Sequence, residues 1–372
     1  MLFLSLILLA TFIPKHATAD VVSCDPCIDR QHVNLGCVHH GIPSQDVFWQ
    51  FMDASIAQGA KDMGINLLYE PITDLTLDER DEASVEMYMQ QRIRYLCREV
   101  KVNGIFVSLP SPAIINELNG CREAGIPAIV FNSGIETAKA NGYLYIGQDE
   151  FQAGLEAGQG LAEVDGVETF CCLNHAPGVN VLKDRCGGFG AGLEANGMSG
   201  EYADVHVDPN DCASFEQAIV SNCSPATGNW SSVGLYFGGQ ANHECGLRFL
   251  RKYPATFADA SDVSEYLYAG MAEGLNILFG IDQQTYLQGY FPSSFLTLAS
   301  TNDQTVQNEN IETGPKLINE PPSEHYQDCK ARGYAVCDAT GSMGSTTSSS
   351  SLVLPRLEVA FFGMIAIIHR FF

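Results

Sequence analysis

From residue 33 to residue 298 the chain alternates short, mostly apolar runs with amphipathic stretches at helical spacing, and this alternation constrains the fold most. The short runs fall at 33–38, 65–69, 104–109, 128–131 and 143–146, then at 169–173, 202–207, 233–237, 255–260 and 276–281. Helix-spaced stretches lie between them at 47–63, 79–100, 112–124, 150–162, 179–196, 212–220, 242–252, 264–274 and 284–298. A strand that is apolar throughout must be covered on both faces, which a parallel sheet flanked by helices provides. The strands outnumber those of one compact sheet of usual size. The expectation is therefore α/β, with two doubly wound, Rossmann-like parallel sheets in two lobes. No repeat of 20–50 residues interrupts this reading.

Composition narrows the function. Apolar content of 46% with 10% aromatics excludes a mostly disordered chain. Lys and Arg number 20 against 44 Asp and Glu, a net charge of −24, so a phosphate backbone or an anionic lipid surface is repelled. Nucleic acid is therefore not an expected partner.

The two ends read as processing signals. An apolar run, Leu2 to Ile13, precedes Ala17-Thr18-Ala19, so residues 1–19 are expected to be a secretory signal peptide. A Cys-rich segment, 20–32, follows it. At the other end, a Ser/Thr/Gly-rich linker at 331–351 leads into a hydrophobic tail at 352–372, the order of a GPI-attachment signal. The tail's apolar core, Val359 to Ile368, would be about 15 Å long as a helix, short of the ~30 Å hydrocarbon layer. Any membrane association is thus expected only through a C-terminal anchor, with free secretion and a membrane stub as the competing readings.

Thirteen cysteines in a secreted chain imply disulfides, and the odd number leaves one over. Loop closure alone favours the local pairs Cys212–Cys223 and Cys329–Cys337. Cys24, Cys27, Cys37, His39 and His40 form the metal alternative. An oxidising compartment favours disulfides over it, so neither a metal nor a cofactor is expected. Asn222-Cys223-Ser224 and Asn229-Trp230-Ser231 are glycosylation acceptors.

In doubly wound folds, ligands sit at the carboxyl ends of the strands. Those positions carry His39 and His40, then Asp46, Phe48 and Trp49; Asn132 and Ser133; Gln148 and Asp149; Asn174, His175 and Arg185; Gly238 to Gln240; Asp259 and Asp262; and Gln283. Amides and carboxylates offer bidentate bonds to vicinal hydroxyls, and aromatic faces suit the apolar side of a sugar ring.

Several stretches resemble, in order and spacing, the type I periplasmic binding proteins, specifically their ribose- and galactose-binding branch. They include Asp46-Val47-Phe48-Trp49, residues 59–64, residues 103–105, residues 124–134, residues 146–149, Arg185 to Phe189, and residues 281–290. The resemblance spans about residues 33–320. It implies two lobes joined by three hinge crossovers, near Gly147, near Asp282 and near 303–311, that close on a ligand. The lobes are then 33–147 plus 284–304, and 148–283 plus 305–330. By the same resemblance Phe48 and Trp49 match the sugar-sandwiching aromatics, and Asp46 and Asn132 stand at ring-hydroxyl positions. Arg185 matches the forked arginine, Gln283 the late hinge glutamine, and Asp259 or Asp262 the second-lobe carboxylate. Many sugar binders carry Asp-Arg where this chain has Asn132-Ser133.

The expected function is reversible, non-catalytic capture of a small hydroxylated ligand, a monosaccharide first of all. Bacterial relatives hand their ligand to a membrane permease, so a membrane receptor or transporter is the implied protein partner. A surface receptor or adhesin that has lost the pocket is the alternative. A secreted hydrolase is weaker, because no Gly-x-Ser-x-Gly occurs.

Overall fold

The computed structural model describes residues 29–43, 47–71, 82–177, 179–198, 202–307 and 309–320, all within one compact unit. The signal peptide, most of the Cys-rich segment, the linker, the tail, Asp46 and the Cys329–Cys337 pair lie outside the described residues.

The first sheet gathers strands in the order β11-β5-β4-β3-β1-β2, and the second in the order β12-β10-β9-β8-β6-β7. In chain order the first half reads β1 (Asn34–His39), α1 (Val47–Met63), β2 (Asn66–Pro71), α2 (Glu82–Arg94), β3 (Gly104–Val107), α3 (Ile115–Glu123), β4 (Ala128–Phe131), α4 (Ile135–Ala140) and β5 (Leu144–Gln148). Helix α2 runs on into a π-helical segment, Tyr95–Val100. The second half reads α5 (Glu150–Ala162), β6 (Thr169–Asn174), α6 (Asn180–Ala195), β7 (Tyr202–His206), α7 (Cys212–Cys223), β8 (Val233–Phe237), α8 (His243–Lys252), β9 (Phe257–Ser261), α9 (Glu265–Ala272) and β10 (Ile277–Asp282). The chain then returns through α10 (Thr285–Asn302), β11 (Asn310–Gly314) and β12 (Lys316–Ile318). All described pairings between strands are parallel except β10 with β12.

Each sheet is covered on both faces, as continuous apolar strands require. Val38, Val107 and Val130 of the first sheet pack with Ile93 of α2 and Leu118 of α3. Leu35, Phe106 and Phe131 pack with Met52 and Ile56 of α1 and Leu296 of α10 on the other side. In the second sheet, Leu173, Leu235 and Ala258 meet Phe215 of α7 and Phe249 of α8. Phe170, Tyr236 and Ile281 meet Ala153 of α5 and Phe189 of α6.

Three expectations need correction. β11 pairs with β5 in the first sheet, whereas the family resemblance implies that 305–330 belongs to the second lobe. The chain re-enters the second sheet only at β12, so the last crossing lies at Gly314–Pro315 rather than near 303–311. These short edge strands carry polar residues and no apolar run, which leaves no periodic signal. The third correction concerns Cys212 and Cys223, which sit at the two ends of α7 and do not pair. Twelve helical residues separate them by about 16 Å, far beyond the ~7 Å reach of a disulfide.

The described disulfides are Cys97–Cys121, Cys171–Cys223, Cys172–Cys186 and Cys212–Cys245. Cys171 and Cys172 are neighbours on β6, so their side chains point to opposite faces. One ties α7 and the other ties α6 to the same strand. Cys37 is a buried free thiol.

Helices α5 and α6 come together through glycine. A Cβ on Gly188 would lie 2.0 Å from the Phe151 carbonyl oxygen, and one on Gly158 would lie 2.1 Å from that of Phe189. This near contact of backbones carries α6, and Arg185 with it, up against the first turn of α5.

Candidate functional site

The carboxyl ends of both sheets face one cleft, with a cavity of about 170 Å³. Its first-lobe wall is aromatic, and among the described residues holds no carboxylate, Lys or Arg. Phe48 and Trp49 open α1, their rings edge to face at 5.4 Å. Trp49 stacks on His39, ring centroids 4.5 Å apart and 10° from parallel, and meets His40 edge-on. His39 is itself anchored. Its Nδ1 accepts from the Gly41 N–H at 3.1 Å, so Nε2 carries the hydrogen and donates to Asp53 Oδ1 at 3.1 Å. The Tyr69 hydroxyl donates to the same carboxylate oxygen. Burial lowers the His39 pKa, with Asp53 opposing it.

The second-lobe wall is ionic. Arg185 is buried, 3% exposed, and donates from Nε to Glu150 Oε2 at 2.6 Å. Its Nη1 donates to the Gly238 carbonyl at 2.8 Å and to Asp262 Oδ2 at 3.3 Å. No hydrogen bond among the described residues uses its Nη2. Burial works against the guanidinium charge, but Glu150 and Asp262 outweigh it and hold the pKa above its ordinary value. Burial pushes the Glu150 carboxyl up, and Arg185 only partly opposes this. For Asp262 burial also pushes up, but Arg185 and Gln283 prevail and hold it below the usual value. His175 closes the wall; burial and the nearby Arg185 charge lower its pKa to about 4, so it is neutral at ordinary pH.

Local sequence explains these positions. Asp149 caps α5 by accepting from the Gln152 N–H at 3.0 Å, which sets Glu150 at the helix start, where β5 ends. Asn132 after β4 and Asp262 after β9 both adopt left-handed backbone, φ 64° and 70°. Asn and Asp are the side-chain-bearing residues that visit this region most readily. The two occupy equivalent places at the ends of the two central strands, and both line the cleft.

A line of amides connects these two residues across the segments that pass between the sheets. Asn132 Nδ2 donates to Gln288 Oε1 at 3.1 Å, and Gln288 Nε2 donates to Gln283 Oε1 at 2.9 Å. Gln283 Nε2 donates in turn to Asp262 Oδ1. Thr313 Oγ1 on β11 adds a bond to the Gln283 carbonyl at 2.7 Å. Donors point one way along the line, from the first lobe to the Asp262 carboxylate.

Of the residues anticipated from sequence, the cleft brings together Phe48, Trp49, Asn132, Arg185, Asp262 and Gln283. It does not include Asp259. That residue sits inside β9, two positions before the strand's last residue, fully buried against α5, where its carboxylate oxygen lies 3.2 Å from the position of a Gly160 Cβ. Glu150 was missed. Its signal was the Asp149-Glu150 pair directly after an apolar strand, an N-cap followed by a carboxylate aimed along the strand end. Among the described residues no group of three or more His, Cys, Asp and Glu is placed to hold a metal ion.

Comparison with known proteins agrees with this architecture. The xylose/arabinose-binding protein XylF of Sulfolobus acidocaldarius is 28% identical over 268 residues, covering 67% of this chain. The chain spans 64% of the length of that relative. Among solved structures, a carbohydrate transporter from Acidothermus cellulolyticus in complex with myo-inositol superposes with a TM-score of 0.65 at 24% identity, over 81% of this chain and 99% of the other. A periplasmic sugar-binding protein of an ABC sugar transporter from Legionella pneumophila gives 0.62 at 20% identity, over 76% and 100%. The model of the periplasmic binding protein domain matches residues 42–236. With over half of its length in that match, and a cleft between two sheets of identical strand order, the chain belongs to the periplasmic binding protein domain family.

Proposed function

We propose that this protein binds a monosaccharide or related polyol in the cleft and closes its lobes on it, without breaking a bond. The observation that carries the reading is Arg185: it is buried and clamped at Nε and Nη1, with Nη2 left over, and it lines the same cavity as Phe48 and Trp49. A fixed fork of donors facing an aromatic surface suits a ring that is hydroxylated at its edge and apolar on its face. The relative described as xylose/arabinose-binding and the neighbour in complex with myo-inositol support the same ligand class. The proposed contacts are Phe48, Trp49, Asn132, Arg185, Asp262 and Gln283, with Asp46 beside them from the sequence.

A hydrolytic reading is less well supported. Glu150 and Asp262 would be its carboxylate pair, yet both bond the same guanidinium, and their other bonds go to Gln148, Gln240 and Gln283. The four described disulfides support an oxidising, extracytoplasmic location. A signal peptide at 1–19, a C-terminal GPI-type anchor at 352–372, glycans on Asn222 and Asn229, and delivery to a membrane transporter or receptor complete the proposal.

The test is titration calorimetry and thermal melting with D-xylose, L-arabinose, D-galactose, D-glucose and myo-inositol. Ligand at a hundred times its Kd adds about 2.7 kcal/mol to stability. At least one compound is expected to bind, and Phe48→Ala, at a half-buried position, to weaken it tenfold or more, about 1.4 kcal/mol. Absence of binding by every compound would sink the proposal.

A further inference from the structure

An arginine in a ligand cleft ordinarily invites an anion, but Arg185 is already more than neutralised. Glu150 lies against Nε and Asp262 against Nη1, so the three buried ionic groups sum to one negative charge. Among the described residues that line the cleft, Arg185 is the only Lys or Arg, and the His175 ring on its own wall is neutral at ordinary pH.

Glu150 pairs with Arg185, yet Asp262 alone would balance the guanidinium charge, so neutralisation does not account for a second carboxylate at this position. Its Oε2 accepts from both Arg185 Nε and Gln148 Nε2, at 2.6 and 2.8 Å. Its Oε1 is buried and has no hydrogen-bond partner among the described residues. A glutamine carbonyl would serve Arg185 and Gln148 as well. What glutamate adds is charge, in a buried site where charge acts at low effective dielectric.

We propose that Glu150 sets the charge selectivity of the cleft, so that the site takes neutral sugars and polyols and refuses sugar acids and sugar phosphates. This rests on the binding function proposed above. A carboxylate or phosphate on the ligand gains from Arg185 Nη2 but faces two buried carboxylates behind it. A hydroxyl donates or accepts as required and carries no charge to be repelled.

The experiment titrates the full chain with neutral sugars and their acids in pairs: D-galactose with D-galacturonate, D-glucose with D-glucuronate, and D-xylose with D-xylonate. The wild type is expected to bind the neutral member of a pair at least tenfold more tightly than the acid. Glu150→Gln is expected to narrow that ratio at least tenfold by gaining affinity for the acid, with the neutral Kd changing less. A wild type that binds acid and neutral member equally leaves the sugar reading standing and overturns this inference. So does an unchanged ratio in Glu150→Gln. Should that variant not fold, Asp262→Asn must narrow the ratio in the same way. A wild type that binds no member of any pair, and neither L-arabinose nor myo-inositol, overturns both proposals together; one that binds L-arabinose alone is tested with L-arabinonate as its pair, by the same ratio.

Discussion

The two lobes share one strand order yet build opposite walls. In the first lobe the aromatic surface of the cleft comes from consecutive residues, Phe48 and Trp49, on a single helical turn of α1. In the second the ionic surface comes from three separate elements: Glu150 at the start of α5, Arg185 on α6 and Asp262 after β9. An aromatic pair on one turn takes its spacing from that turn, with the stacked His39 ring fixing the Trp49 face. An ion cluster assembled from three elements is only as well placed as the packing between them. The second lobe is accordingly the more tightly fastened, with glycine-mediated contact between α5 and α6 and three of the four described disulfides.

The largest effect should come from prying α5 and α6 apart. Gly188→Val places new carbon where the Phe151 carbonyl already stands, at 2.0 Å. Overpacking of this kind costs about 1–3 kcal/mol or more, and here backbone cannot swing aside as a side chain can. The first lobe's counterpart is Gly59 on α1, whose added Cβ would meet the Tyr290 carbonyl at 3.0 Å. Urea unfolding should show Gly188→Val losing about 3 kcal/mol and sugar affinity with it, while Gly59→Ala loses about 1 kcal/mol or less. Equal losses would mean that the two helix pairs are equally tolerant and the contrast is false.

Next come the disulfides on β6. Loop-closure entropy assigns about 4 kcal/mol to Cys171–Cys223, which spans 52 residues, and about 3 kcal/mol to Cys172–Cys186, which spans 14. Replacing each pair by Ala should lower the urea midpoint in that order. The shorter link matters more for the site, because it fixes α6 one residue beyond Arg185. Cys172→Ala with Cys186→Ala is therefore expected to weaken ligand binding, and Cys171→Ala with Cys223→Ala to leave it near the wild-type value. The opposite ranking of affinities would show that the ion cluster does not depend on how α6 is held.

How much of this was legible in the chain follows from the same contrast. Strands and helices with full apolar periods were readable, and β4 (Ala128–Phe131), α5 and β8 fall where the pattern put them. Arg185 and Trp49 were readable because they follow strand ends. The edge strands β11 and β12 were not, since polar, half-exposed residues carry no period. Disulfide partners were not, because Cys171 and Cys223 meet only through the fold. Glu150 was hidden for a related reason: its role depends on an arginine 35 residues away on the neighbouring helix. Of the alternatives Asp259 and Asp262, only Asp262 lines the cleft, because the cleft end of β9 lies at Ser261 and Asp262.

Asp259, buried short of the cleft, gives the finest test of the comparison. Asn132 and Asp262 are equivalent, so Asp259 stands where the first sheet has Ile129, a buried apolar residue. Burial pushes the Asp259 carboxyl well above its usual range, with only the Phe279 N–H, at 3.3 Å, opposing the shift. The folded protein thus keeps this proton at pH values where the unfolded chain, with a pKa near 3.9, has released it. Unfolding then releases a proton, and stability falls as pH rises from about 4 toward the raised folded value, by at most about 1.4 kcal/mol per pH unit. Asp259→Asn removes that slope and keeps the shape. Its stability relative to wild type should therefore grow with pH between about 4 and 7, whatever the offset from its own buried amide. Melting curves at stepped pH measure the difference directly. A difference that stays flat across the range would mean that Asp259 is ionised in the folded protein, and that the second sheet tolerates a buried charge where the first requires a hydrocarbon.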